Sequence, residues 1–274
     1  MIKPNISVKK LNMSSWLIVA VCIVICITLG IHAYYPFAAE RNFREGFNSL
    51  AQKRTPLAIF YLKKARDYAP WETHYQLHLG RAYEQAFAET KNTLEKHNYL
   101  ELAEETYLNM INLDSKNPWY KNRLANIYAQ KITLISENET ELDATKNINY
   151  YSKLIENYTR NAAKNDNQNP LFQLNLAYYL HQTNQIDEAI ALYQTVQKMD
   201  NTMIQASFNL ADIYARRGQL DKSLESYLIV KENNPNYDKI DLVIAGLYIQ
   251  LKQYSNAIIY LDYILEKEPG NFDA

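Results

Sequence analysis

Two histidines, His74 and His78, stand four residues apart in the segment THYQLHLGRAY. On a helix that spacing sets both imidazoles on one face, where they could share a divalent metal. A metal needs further ligands, and none is evident nearby; Leu77 and Leu79 beside the pair fit ordinary helix packing. The acid pairs Glu104–Glu105 and Asp187–Glu188 read as solvated helix faces. The chain has no Gly-rich phosphate loop, no haem-attachment motif and no nucleophile–base set definable from spacing. The expectation is therefore a protein that is not an enzyme and carries no cofactor and no metal. Asn5, Asn138 and Asn157 begin N-x-[ST] sequons, which arise by chance in an Asn-rich chain and matter only in a secretory pathway.

The elements that carry these residues are set by composition. With 47% hydrophobic residues over 274 positions, the chain can build one large domain or a repeat array. Only 6 Gly and 8 Pro argue against disorder and against a turn-rich β fold. A net charge of −1 disfavours nucleic acid, which requires clustered Lys and Arg. Lys3, Lys9 and Lys10 are the only charges in the first 38 residues, which leaves −4 on the remainder. Both cysteines, Cys22 and Cys26, lie in an apolar run, so the rest of the chain has no disulfide or thiolate metal site. They read as apolar filler, with acylation as the sharper alternative.

That run, Trp16–Ala33, has 18 residues without a formal charge. At about 1.5 Å per residue it spans roughly 27 Å, close to the thickness of a bilayer core. Trp16 stands at one end and Tyr34 and Tyr35 at the other, as interfacial aromatic belts do. The lysines precede it, while Arg41 and Arg44 follow interleaved with Glu40 and Glu45. The modest Lys/Arg bias places residues 1–15 in the cytoplasm, residues 16–35 in the membrane as a single-pass anchor, and the body outside. A cleaved signal peptide, with its core over Trp16–Leu29 and a cut before Tyr34, is the competing reading. A buried helix is a third. A lipoprotein signal is disfavoured because Val21 and Ile25 precede the cysteines.

The body repeats. A shift of 34 residues aligns 170–201 with 204–235, and a second shift reaches 238–269. Each unit reads as two helices. In the first, a large apolar residue precedes a small one, Leu176–Ala177, Leu210–Ala211 and Ile244–Ala245, with Leu180, Tyr214 or Tyr248 three further on. In the second, Ala189, Ser223 or Ala257 precedes Tyr193, Tyr227 or Leu261 by one turn. These spacings gather apolar residues on one helix face, and the small residues let helices approach closely. Pro235 and Pro269 close their units, and Gly218 marks an inter-helix turn.

This pattern resembles the tetratricopeptide repeat (TPR) closely over 170–271. The resemblance implies an all-α fold: a right-handed superhelical solenoid over 39–271, preceded by one transmembrane helix. Six units are expected, at about 39–72, 73–117, 118–169, 170–203, 204–237 and 238–271. Their small first-helix residues are Gly46, Gly80, Ala125, Ala177, Ala211 and Ala245. The second unit has 11 extra residues between Leu79 and Ala103, assigned to two longer helices. The third has a polar segment, SENETELDATKN, read as a loop before a helix INYYSKLIENYTRNAAK.

In TPR arrays places 2, 5, 6 and 9 of each unit face a ligand. Those places hold His74, Leu77, His78 and Arg81 in the second unit. They hold Trp119, Asn122, Arg123 and Asn126 in the third. Next come Leu171, Leu174, Asn175 and Tyr178, then Gln205, Phe208, Asn209 and Asp212, then Lys239, Leu242, Val243 and Gly246. The groove chosen as a partner site comprises Arg81, Trp119, Asn122, Arg123, Asn126, Leu174, Asn175, Tyr178, Phe208, Asn209, Asp212 and Lys239. Aromatic anchors with amides suit an extended peptide; a solvated face without ligand is the alternative. Asn209 and Lys239 match a co-chaperone carboxylate clamp in place, but Leu174, Tyr178 and Val243 break it.

The segments 65–86 and 109–130 also resemble the TPR tail of bacterial O-antigen ligase/polymerase-like membrane proteins, whose many membrane helices are missing here. That likeness implies at most an accessory role in polysaccharide or envelope export. The leading expectation is a membrane-anchored scaffold that holds a protein or peptide partner on the periplasmic or extracellular side, with the bacterial inner membrane as setting. A cytosol-facing import receptor is the further alternative. Ile258, Ile259, Leu261 and Leu265 on the last helix pack inward, meet a partner, or make an end-to-end contact between copies.

Overall fold

The computed structural model describes residues 13–138, 141–237 and 239–267. Lys3, Asn5, Lys9, Lys10 and Pro269, and with them most of the expected cytoplasmic segment, lie outside the described residues. Among the described residues there are twelve helices and no strand. They fall into two bodies, divided between Leu113 and Asp114.

The first body holds α1 (Met13–Ala51), α2 (Thr55–Tyr68), α3 (Thr73–Glu89) and α4 (Thr93–Leu113). α1 pairs with α2 and α3 with α4, and α2 packs on α3. Ala58, Leu62 and Ala65 of α2 are buried on one face, at the three- and four-residue spacing that a helix brings into line. Two glycines set how closely these pairs approach. A Cβ on Gly46 would lie 2.7 Å from Leu62 Cγ and 3.1 Å from the Leu62 backbone nitrogen. A Cβ on Gly80 would lie 2.7 Å from Tyr107 Cζ. The fully buried Tyr107 ring fills that gap, and its hydroxyl donates to Glu84.

α1 is 39 residues long and runs unbroken through Pro36. Its apolar part is exposed on every side, whereas Ala38 and Ala39 are buried in the body. One helix therefore serves both the apolar run and the first hairpin. Trp16–Ala51 is long and apolar enough to cross a membrane, with a mean hydropathy of 2.6 over its best 18-residue window.

The second body holds α5 (Pro118–Asn138), α6 (Glu141–Asn165), α7 (Pro170–Gln182), α8 (Ile186–Met199), α9 (Ile204–Arg216), α10 (Leu220–Asn233), α11 (Ile240–Gln250) and α12 (Tyr254–Lys267). Consecutive helices pair as hairpins, and each hairpin packs on the next through α6 on α7, α8 on α9 and α10 on α11. Ala177, Ala211 and Ala245 are fully buried in these seams, each beside a buried larger residue, Leu176, Leu210 or Ile244. The 34-residue period also appears in the backbone: Asn184, Gly218 and Lys252 take φ of 63°, 69° and 61° at successive hairpin turns. Glycine reaches this left-handed region freely, whereas Lys252 does so against its Cβ. At α7, Asn169 caps the first turn by accepting from the Leu171 amide at 3.0 Å, and Pro170 occupies the first helical position, where no amide is needed.

Two sequence expectations resolve differently. The 11 extra residues of the second unit do go into helix, since α3 and α4 have 17 and 21 residues against 13 and 14 in α7 and α8. The polar segment 136–147 is mostly helix rather than loop: α5 continues to Asn138 and α6 begins at Glu141. Ile135 just before it and Ala144 within it are buried, and that burial outweighs a polar composition. The pair Asp187–Glu188 is exposed, as a solvated face should be, and from it Asp187 bonds Arg217 at 2.8 Å and Glu188 bonds Arg160 at 2.5 Å.

Candidate functional site

α7 and α9 lie at equivalent places of successive hairpins, so the same face of each borders one cleft. Its volume is about 360 Å³. α7 supplies Leu174, Asn175 and Tyr178; α9 supplies Ile204, Gln205, Phe208 and Asn209; and the turn before α11 supplies Tyr237. Steps of one, three and four residues keep each helix's contributors on one strip.

Packing fixes the apolar wall. Phe208 meets Tyr227 edge-on with ring centroids 5.7 Å apart, and meets Tyr237 at 5.4 Å. Leu174 packs against the cluster built on Phe172, Leu176 and Tyr193. Tyr178 stands at the rim and is 54% exposed. The polar groups are amides. Asn175 Nδ2 donates to Oδ1 of Asn122 at 2.8 Å, and Asn122 is buried, so that bond orients the Asn175 carboxamide from behind. Asn209 lines the cleft and makes no side-chain hydrogen bond among the described residues, so its carboxamide has both a donor and an acceptor to offer.

Among the described residues no charged side chain lines this cleft. Asp212, one turn beyond Phe208, is paired with Arg216 at 3.0 Å. Lys239 is exposed beyond Tyr237, in the left-handed backbone that starts α11. An apolar floor with neutral amides matches an uncharged side chain and the main chain that carries it; it does not match a free carboxylate.

Of the twelve residues expected at the groove, the cleft brings together Leu174, Asn175, Tyr178, Phe208 and Asn209. Asn122 joins it only through Asn175. Trp119 is exposed and sits edge-on to Phe172 at 4.9 Å, away from the cleft. Arg123 is half-buried and Asn126 exposed on α5, and neither lines the cleft. Arg81 is exposed on α3 in the first body. Ile204 and Tyr237 were missed, because one opens its helix and the other lies in a turn, outside the places that face a ligand by period.

The histidine pair is a packing feature of the first body. His74 and His78 lie edge-on with centroids 4.8 Å apart, and His78 is enclosed by Phe43 and Phe47 at 5.2 Å each. Burial, with smaller contributions from His74 and Arg81, pushes His78 down to about 4. Among the described residues no group of three or more His, Cys, Asp or Glu side chains is placed to hold a metal.

No protein-family model matches the sequence, and no curated protein matches it. Solved structures do. PilF of Pseudomonas aeruginosa superposes with a TM-score of 0.60 at 14% identity, over 87% of this chain and 96% of PilF. PilW, described as a widely conserved type IV pilus biogenesis factor, gives 0.56 at 12% identity, over 86% and 96% of the two chains. YrrB, described as a TPR protein with an unusual peptide-binding site, gives 0.52 at 17% identity, over 77% and 94%. At these identities the likeness is one of fold, and the fold of this chain is that of the tetratricopeptide repeat.

Proposed function

We propose that the protein is a non-catalytic scaffold, tethered to a membrane by Trp16–Ala33, that holds a segment of a partner protein in the α7–α9 cleft. The observation that carries this reading is the cleft itself: an apolar wall anchored by Phe208, lined also by the carboxamides of Asn175 and Asn209. A peptide there would bury an uncharged side chain against Phe208 and Tyr237 and offer its main chain to Asn209 and Asn175. The lysines before the apolar run favour a cytoplasmic N-terminus and a body on the periplasmic or extracellular side. YrrB is a protein of this fold described as having a peptide-binding site, which supports the cleft as a peptide site here.

A second reading places the scaffold in an envelope-export assembly as an accessory subunit. It is favoured by the exposed apolar run and by PilW, a protein of the same fold described as a pilus biogenesis factor.

Photocrosslinking tests the cleft. A photoreactive residue at Tyr178 or Tyr237 in native membranes should capture a discrete partner, and the adduct should vanish in a Phe208→Ala/Asn209→Ala background. Adducts that survive the double substitution unchanged would remove the cleft from the proposal. An alkaline phosphatase fusion to the C-terminus should be active; an inactive fusion would put the body in the cytosol.

A further inference from the structure

The turn between α2 and α3 carries an exposed tryptophan with nothing to cover it. Trp71 is 58% exposed and makes no ring contact among the described residues. The turn is nevertheless held firmly. The Ala69 amide donates to Ala65 O at 3.1 Å, the Glu72 amide donates to Ala69 O at 3.1 Å, and the buried Gln76 side chain donates to Pro70 O at 2.6 Å. A fixed backbone therefore presents a large apolar ring outward.

The position of the turn relative to α1 is set by aromatic contacts. α2 runs back along α1 until the Tyr68 ring lies 6.1 Å from Tyr34 and 5.8 Å from Tyr35. Those two tyrosines end the apolar run. On the far side of the turn, His74 and Tyr75 of α3 meet Phe43 of α1 at 4.8 and 5.1 Å. Tyr35 and Phe43 are separated by about 12 Å along α1. Trp71 follows Tyr68 by three residues, in the turn that leads from the first level to the second. The headgroup layer on one side of a bilayer is about 5–7 Å deep; from a hydrocarbon edge at Ala33, Tyr35 stands about 3 Å and Phe43 about 15 Å out along α1, so the Tyr68 end of the turn is the part that falls within it.

We propose that this turn is a membrane foot, in which Trp71, together with Tyr34, Tyr35 and Tyr68, sits in the headgroup layer of the bilayer that α1 crosses. The proposal rests on reading Trp16–Ala33 as membrane-spanning. An indole suits this layer because its ring is apolar and its N–H still needs a polar partner. The contact is aromatic rather than electrostatic. The basic side chains of α2 are engaged on the body: Arg66 pairs with Asp67 at 2.7 Å, and Lys63 and Lys64 lie over the rings of Tyr83 and Phe60 at 5.7 and 4.4 Å. Zwitterionic lipid is therefore sufficient.

Depth-resolved quenching in full-length protein reconstituted into phosphatidylcholine vesicles tests it. The chain has three tryptophans, so variants retaining Trp71 alone, Trp16 alone or Trp119 alone are made by replacing the others with Phe. Sole Trp71 should be quenched most by a headgroup-proximal lipid label, resist aqueous acrylamide, emit to the blue of sole Trp119, and be insensitive to added salt. Lipid quenching of Trp16, with Trp71 quenched only by acrylamide, would overturn the foot and leave the anchor standing. Absence of lipid quenching at both would overturn the foot and the anchor together. Hydrogen exchange of wild-type residues 69–73 gives a second readout free of substitutions: slower in vesicles than in detergent if the foot is seated, and equal in both if it is not.

Discussion

The two bodies use different small residues at the same repeat place. In the first, Gly46 and Gly80 leave no room for a methyl group, because Leu62 and the Tyr107 ring lie within 2.7 Å of where a Cβ would go. In the second, Ala177, Ala211 and Ala245 occupy that place with their methyl groups fully buried. The difference teaches that the small position is a spacing gauge. Its residue is set by how closely the opposing side chain comes, not by the helix that carries it.

Four measurements would break or sharpen that contrast. Gly46→Ala should cost the most, about 2–3 kcal/mol, because a backbone nitrogen as well as a side chain must yield and the gain in helix propensity does not offset overpacking. Denaturant midpoints of the full chain, with hydrogen exchange locating the loss in α1 and α2, would check it. Ala211→Gly should cost about 2 kcal/mol, roughly half from helix propensity and half from one lost buried methyl, and should loosen only the second body. Equal costs for Gly→Ala and Ala→Gly would leave the gauge idea intact, whereas a stabilising Gly46→Ala would end it.

Histidine supplies a pH test confined to the first body. His78 is neutral when folded, with its pKa depressed to about 4 by burial, whereas the unfolded chain titrates near 6.5. Below about 6.5 the unfolded state takes up a proton that the folded state refuses, so stability falls as pH drops from about 6.5 towards 4. His78→Gln should flatten that part of a melting-temperature profile. The smallest effect is expected at Lys252, whose φ of 61° costs a side chain. Lys252→Gly should stabilise the second body by about 0.5–1 kcal/mol, and Gly218→Ala, at φ 69°, should destabilise it by a similar amount.

Much of this was legible because a strict period leaves little freedom. The 34-residue shift located α7 to α12, and six of the eight places it assigned on α7 and α9 border the cleft, while Leu171 and Asp212 do not. Period alone did not find Tyr237, which reaches the cleft from a turn, nor did it place Asn122 behind Asn175 rather than beside it. Side-chain burial depends on neighbours that a single repeat does not encode. The polar segment at 136–147 read as a loop because Asn, Asp and Thr weigh against helix locally, while the burial of Ile135 and Ala144 is a property of the folded chain that local composition does not show. On α12, Ile258 and Ile259 are 55% and 65% exposed, so inward packing does not account for them.

The unbroken passage of α1 through Pro36 has a mechanical consequence. A helix without a joint couples height to azimuth: each inserted residue lifts what it carries by about 1.5 Å and turns it by about 100°. A single alanine added between Ala33 and Ala38 would swing the first hairpin more than a quarter-turn about the helix axis, while seven would restore its bearing about 10 Å higher. Few lengths of this stalk therefore preserve the heading of the first body, and length variants can be sorted by phase rather than by size.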